Sequence, residues 1–331
     1  MTYYFAWSYG VVPMKHSSQQ AIVSEDPPSP TPMPFVEMTI PYLRNRTYTS
    51  TMGQRSRISD AGTYMSYITN YESDGLKVNG LLTIPKGEMP LEGWPAIVLV
   101  HGYIPPTVYR TTDNYVSYVD FLARRGFVIF KIDLRGHDQS EGEPGGAYYS
   151  SDYVIDTLNA RAALQSVDFV NPKRIGLWGH SMAGNVVMRS LAAQPEIPAV
   201  VVWAGAGYTY ADLLAYRITD NSWRPPTESP QRMRGRELLR QTYGEFSANH
   251  PFWKQVAVTD YLSDIRGAIE IHHAVDDAVV NIEYSRNLMK LLDNTTVVHE
   301  LYEYAGGGHN ISGSYFTTAM ERTAEFFNKH L

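Results

Sequence analysis

Six short, nearly uninterrupted apolar runs punctuate the chain: Ala96 to Val100, Phe127 to Ile132, Ile175 to Trp178, Ala199 to Trp203, Ile269 to Ile271 and Val297 to Tyr302. Strands that face solvent on one side alternate apolar and polar residues, so runs without alternation belong to strands covered on both faces. Segments of helical period lie around Tyr115 to Arg125, Ser151 to Val167, Ala183 to Ala193, Ile282 to Leu292 and Thr317 to His330. Strands alternating with helices predict an α/β fold, with a mostly parallel central sheet flanked by helices. Ahead of this pattern, Thr63 to Thr69 and Leu76 to Pro85 read as strands joined by Asp74-Gly75, a tight hairpin turn, so the sheet begins with an antiparallel edge.

One interval breaks the rhythm. About sixty residues separate the run ending at Trp203 from the one starting at Ile269, too many for a plain loop. They are expected to form a helical cap inserted at about 206–262, before the next strand. Upstream, Ser24 to Pro34 holds five prolines without periodicity, the composition of a stiff extended linker. The chain therefore reads as a tail and linker over 1–34 and one folded domain over 35–331. The apolar start MTYYFAWSYGVV followed by such a linker points to an extracytoplasmic protein.

Composition removes several classes of function. With no cysteine, disulfides, thiolate zinc sites and a cysteine nucleophile are excluded. A formal net charge of −6 offers no field for a nucleic acid, and no stretch approaches the ~20 apolar residues of a membrane span. The expected partner is a small molecule.

The strongest local signal is Trp178-Gly179-His180-Ser181-Met182-Ala183-Gly184, placed where an apolar run ends and a helical pattern begins. A serine on so sharp a strand-to-helix turn needs small residues two places before and after it, here Gly179 and Ala183, and its hydroxyl then stands exposed at the end of the sheet. The helix behind it directs its positive end at the reaction centre. A serine hydroxyl is a weak nucleophile at neutral pH, so a histidine base and an orienting acid should follow on later sheet loops. His309 sits in the glycine-rich loop Ala305-Gly306-Gly307-Gly308-His309-Asn310 after the last strand. The loop after Ile271 carries Asp276 and Asp277. Neighbours there point in different directions, so one of them reaches the histidine, and Asp276 is the expected acid. Backbone amides of Met182, directly after the serine, and Tyr103, after the strand Ala96 to Val100, are the expected oxyanion donors. In the insertion, Tyr208, Trp223 and Trp253 are the expected substrate contacts, although packing of the insertion's own core explains such aromatics equally well.

These motifs together resemble the α/β-hydrolase superfamily, nearest its prolyl oligopeptidase-like and dienelactone hydrolase-like branches. The resemblance covers roughly residues 60 to 330. It rests on VLVHGY, on DLRGHDQSEG from Asp133 to Gly142, on the GHSMAG elbow, on HHAVDDAVV and on GGGHN. In such families the acid usually stands three residues after a strand-end histidine-glycine pair, which here implies Asp276. His273 replaces that glycine, and Ala183 replaces a common glycine after the nucleophile.

What the resemblance and the residues imply together is a serine esterase working through an acyl-enzyme, with no cofactor and no metal. A serine peptidase of small peptides or acyl-amino acids is the alternative, and a silent hydrolase fold used for binding is the reading from another class. His101, His137, His180, His272 and His273 are expected as packing and supporting residues rather than metal ligands. Arg135 and Asp138 are expected to fix their own turn.

Overall fold

The computed structural model describes residues 33–216, 218 and 230–331. The chain divides into two compact units, Met1–Met33 and Pro34–Leu331, and every element below belongs to the second. The N-terminal tail, all but the last two residues of the proline-rich stretch, and Trp223 lie outside the described residues.

The chain enters through a short helix α1 (Ile40–Asn45), then forms strands β1 (Ser56–Asp60), β2 (Tyr64–Ser73), β3 (Leu76–Pro85) and β4 (Trp94–Val100). Alternation follows: α2 (Val116–Ala123), β5 (Val128–Ile132), α3 (Asp152–Gln165), β6 (Val170–His180), α4 (Met182–Ala193) and β7 (Ala199–Trp203). Helices α5 (Tyr210–Ala215), α6 (Pro230–Tyr243) and α7 (Pro251–Val256) occupy the long interval. The chain ends with β8 (Ala268–Ala274), α8 (Glu283–Leu292), β9 (His299–Tyr304) and α9 (Ser314–His330).

Among the described residues, nine strands form one sheet in the order β1-β2-β3-β5-β4-β6-β7-β8-β9. The β1-β2, β2-β3 and β3-β5 pairs are antiparallel, and every pair from β5-β4 to β8-β9 is parallel. Asp74 and Gly75 both adopt positive φ, 54° and 75°, the geometry that lets Ser73 pair with Leu76 across a two-residue turn.

The continuous apolar runs are explained by two cores. Along β7, Val200 and Val202 join one cluster with α3 and α4, while Val201 and Trp203 join the other with α2 and α9. Successive side chains point to opposite faces, and both faces are covered. Each aliphatic side chain so buried contributes about 1.5–3 kcal/mol, which concentrates stability in the central strands. The edge strand β1 is exposed along its length and bulged between Arg57 and Ser59, a polar edge ill suited to pairing with another chain. Its polar sequence SRISD carries no strand period.

The insertion packs around its own small core. Leu239, Phe252, Trp253 and Val256 are buried together with Met38, and Tyr243 stacks on Phe252 at 3.8 Å between centroids. The chain just before α1 closes this cluster, with Phe35 against Tyr243 and the Tyr243 hydroxyl donating to Pro34 O. Arg135 and Asp138 reach further than their own turn: Arg135 pairs with buried Asp156 on α3, and Asp138 accepts from the backbone and hydroxyl of Thr111. No described helix is long and apolar enough to cross a membrane.

Candidate active site

Strand β6 ends at His180 and α4 begins at Met182, leaving Ser181 as the whole connection, at φ 55° and ψ −120°. A residue with a Cβ rarely adopts positive φ. The position is held because Ser181 N donates to Trp203 O on the neighbouring strand, while Gly184 N donates back to Ser181 O. Close packing around the turn demands small residues: a Cβ on Gly179 would stand 2.7 Å from Ala183 O, and one on Gly184 2.7 Å from the Cα of Gly205. Met182 is the first residue of α4, where helical geometry gives an amide no carbonyl four residues back.

Opposite the elbow runs the segment after β4. A Cβ on Gly102 would lie 3.1 Å from the Cβ of Ser181, so this backbone passes directly beside the serine. Gly102 N donates to the Tyr115 hydroxyl at 2.8 Å, and Tyr103 follows on the cavity wall. The connection from β4 to α2 is fastened from below by Lys131, whose ammonium donates to the carbonyls of Thr111 and Asn114 at 2.6 and 3.0 Å. Asp133 accepts from Thr111 Oγ1 and the Tyr109 hydroxyl. Burial pushes the Asp133 carboxyl up to about 6 and the Lys131 ammonium down to about 8, each held back by the other's charge.

His309 stands in a single 3-10 turn after β9, entered through Gly307 at φ 110° and Gly308 at φ 60°. Its Nδ1 lies 2.8 Å from Asp277 Oδ2. Asp276, the expected acid, is instead exposed and accepts from Gly308 N at 2.8 Å. The reason lies in β8, which runs on past Ile271 and pairs through Ala274 with Tyr304; Val275 N then donates to Tyr304 O. Because the strand ends later than its apolar run, the residue that turns inward is one place further on. Asp277 also accepts from Val279 N and Val280 N and lies 3.3 Å from His273 Nε2. Burial would raise its carboxyl, but the hydrogen bonds from His273, His309 and Val280 N outweigh it and hold the group well below the usual carboxylate range.

Ser181, His309, Met182 and Tyr103 border one cavity of about 1060 Å³. Its wall also includes Tyr148 and Tyr149 from the glycine-rich stretch before α3, Phe316 from α9 and, from the insertion, Ile218 and Arg236. Arg236 is the one formally charged side chain among the described lining residues, and it stacks over the Tyr149 ring at 4.6 Å. Tyr208 and Trp253 do not line this cavity. Tyr208 is buried against Gly184 and Gly205, and Trp253 packs with Tyr210, Phe246 and Phe252. A sixty-residue insertion needs its own apolar centre, and Trp253 with the rings around it supplies one, while Tyr208 joins the main core. Tyr148 and Tyr149, which do face the cavity, follow Pro144 in Gly-Gly-Ala-Tyr-Tyr, a pattern with no period to betray it.

Of the histidines expected as supports, His272 lies at 2.7 Å from Glu270, His273 at 2.7 Å from Ser285 Oγ, His101 at 3.1 Å from Asp133 O and His137 at 3.1 Å from Arg135 O. Among the described residues no group of three or more His, Asp or Glu gathers as a metal site.

Comparison with known proteins agrees with this architecture. The acetyl xylan esterase from Paenibacillus sp. R4 superposes with a TM-score of 0.61 at 16% identity, over 88% of this chain and 92% of that one. The acylaminoacyl peptidase of Pyrococcus horikoshii gives 0.60 at 16% identity, over 84% of this chain and 50% of that one. At such identity the likeness is one of fold. In sequence, the quorum-quenching protein AidA of Acinetobacter baumannii is 26% identical over 131 residues, 40% of this chain and 41% of that protein, so the match spans well under half of this relative. Residues 95–288, more than half of the chain, match the alpha/beta hydrolase fold family, and with the sheet and elbow described above this makes the chain a member of that family.

Proposed function

We propose that the protein hydrolyses carboxylic esters of small molecules through an acyl-enzyme on Ser181, with His309 as base and Asp277 as the acid that orients it. The observation that carries this reading is the Asp277–His309 hydrogen bond at the rim of the cavity that holds Ser181.

In the reaction, His309 takes the proton of Ser181 Oγ as the oxygen attacks the ester carbonyl. The amides of Met182 and Tyr103 receive the developing oxyanion, aided by the positive end of α4. Collapse of the tetrahedral species expels the alcohol, protonated by His309. A water molecule, deprotonated by the same imidazole, then releases the acid and restores the serine. Asp277, held as a carboxylate, keeps the proton of neutral His309 on Nδ1 and leaves Nε2 free to act.

Two proteins of similar fold, the acetyl xylan esterase from Paenibacillus sp. R4 and Est1E from Butyrivibrio proteoclasticus with ferulic acid bound, favour esters. The test pairs p-nitrophenyl esters, from acetyl to long-chain and cinnamoyl-type, with aminoacyl-anilides, using wild type and Ser181→Ala. Ester turnover lost in S181A, with Ser181 labelled by a fluorophosphonate, is the expected result. Amide turnover without ester turnover would replace the esterase by a peptidase, and an intact protein left unlabelled and inactive would point to a silent hydrolase fold.

A further inference from the structure

A chain of hydrogen bonds runs behind the site and touches three separate pieces of it. Gly102 N donates to the Tyr115 hydroxyl at 2.8 Å, that hydroxyl lies 2.7 Å from His180 Nδ1, and His180 Nε2 lies 2.9 Å from the carbonyl of His309. Only one proton arrangement satisfies all of them. A carbonyl only accepts, so the His180 proton is on Nε2; Nδ1 then accepts from the Tyr115 hydroxyl, whose lone pair receives Gly102 N–H. Burial, then the nearby His309 ring, pushes the His180 imidazole down to about 3, so it keeps this neutral form.

The ends of the chain are the segment that supplies the Tyr103 amide, the residue preceding Ser181 and the backbone of His309. We propose that Tyr115 is a positioning residue, whose hydroxyl, through His180, sets the oxyanion segment, the nucleophile and the base at fixed spacing. The proposal rests on the reading of Ser181 and His309 as nucleophile and base. Two further observations support it. Tyr115 sits at φ 61° before the first turn of α2, a left-handed conformation that residues with a Cβ rarely occupy, and such strain persists where the surroundings over-determine it. Gly102 is packed so closely that an added Cβ would meet the Tyr115 hydroxyl at 2.9 Å and His180 O at 3.1 Å. The hydroxyl thus fills a slot shaped by the elbow and the oxyanion segment together.

The ring of Tyr115 also packs against Tyr118, Trp178 and His180. Tyr115→Phe keeps that packing and removes the hydroxyl alone. Displacement of reacting groups by a fraction of an ångström is felt in turnover more than in binding, so Y115F is expected to lower kcat about 10- to 100-fold and leave KM within about twofold. His180→Gln, which keeps a donor towards the His309 carbonyl but no acceptor for Tyr115, is expected to lose kcat similarly. If the hydroxyl acts through His180, the double variant is about as slow as H180Q alone. Unchanged kcat in Y115F, a loss confined to KM, or losses that multiply in the double variant would each overturn the proposal. Ser181→Ala separates the two readings: S181A inactive with Y115F normal refutes the positioning role alone, whereas an active S181A removes the site reading and this role with it. If Y115F is too unstable to compare, as judged by its Tm, His180→Asn carries the same test. It keeps a polar group towards Tyr115 but abandons the His309 carbonyl, so reduced kcat at constant KM supports the role and normal kcat overturns it.

Discussion

Asp277 Oδ2 lies 2.8 Å from His309 Nδ1, while the carboxylate of adjacent Asp276 is committed to Gly308 N. The two neighbours therefore have separable tasks, one on the imidazole and the other on the loop that carries it. In Asp277→Asn the side-chain oxygen still accepts from Val279 N and Val280 N, so the amide NH₂ faces His309. That donor forces the imidazole proton onto Nε2, where the base must be free. Turnover is expected to fall about 10³- to 10⁴-fold. Asp276→Asn keeps an oxygen for Gly308 N and should cost less than about 10-fold. Steady-state kcat on p-nitrophenyl acetate checks both, and a D276N loss as deep as that of D277N would contradict the assignment.

Ser181 holds a strained backbone conformation. At φ 55° and ψ −120° the backbone favours glycine, and a Cβ there costs on the order of 1–3 kcal/mol. Ser181→Ala keeps the Cβ and removes the hydroxyl; Ser181→Gly removes both. Both variants should be inactive, but S181G should be the more stable in urea unfolding by about 1 kcal/mol, after allowance for the greater entropy glycine has when unfolded. Equal stability of the two would mean the turn is unstrained.

His180 couples stability to pH. Its imidazole is pushed down to about 3 by burial, then by His309, whereas the unfolded chain protonates it near 6.5. Between these values the unfolded state binds the proton and the folded state does not. Stability is therefore fully present above about 6.5 and is lost as the pH falls towards 3, by up to about 1.4 kcal/mol per pH unit from this side chain. Urea midpoints at pH 7, 6 and 5 should decline accordingly, with a shallower decline in His180→Gln. An identical slope in the variant would show that other groups govern acid unfolding.

The parts of the molecule that were legible in the amino-acid order are those ruled by a period or by a backbone constraint. Apolar runs without alternation announced strands covered on both faces, and Val200, Val201, Val202 and Trp203 divide between the two cores accordingly. Gly179 and Ala183 around Ser181 announced the sharp turn by their size. Asp277 rather than Asp276 meets His309 because an apolar run marks where burial ends, whereas a strand ends where pairing does, and β8 pairs through Ala274. Tyr208 and Trp253 were misplaced because an aromatic in an insertion is equally apt for packing and for binding. Tyr115 and Tyr149 carry no local signal at all, since their part in the cavity arises only when segments distant in sequence meet.

Arg189 offers a test of how that cavity wall is held. Its buried guanidinium donates to Ala147 O at 3.0 Å, Ser150 O at 2.8 Å, Met38 O at 2.7 Å and Ser151 Oγ at 2.8 Å. Burial lowers it to about 10, so it is still charged at neutral pH, and these hydrogen bonds to three carbonyls and a hydroxyl solvate the charge. Ala147 stands next to Tyr148 and Tyr149 on the cavity wall, and Met38 belongs to the cluster that closes the insertion. The planar fork spans all of these, and an ammonium at one point does not. Arg189→Lys should therefore leave buried carbonyls without donors and cost about 2–4 kcal/mol in urea unfolding. Because the wall loosens while Ser181, His309 and Asp277 keep their own supports, the kinetic loss should fall mainly on KM for bulky esters, with kcat for an acetyl ester within about threefold of wild type. A fall in kcat for acetyl and bulky esters alike would place Arg189 in support of the elbow rather than of the wall.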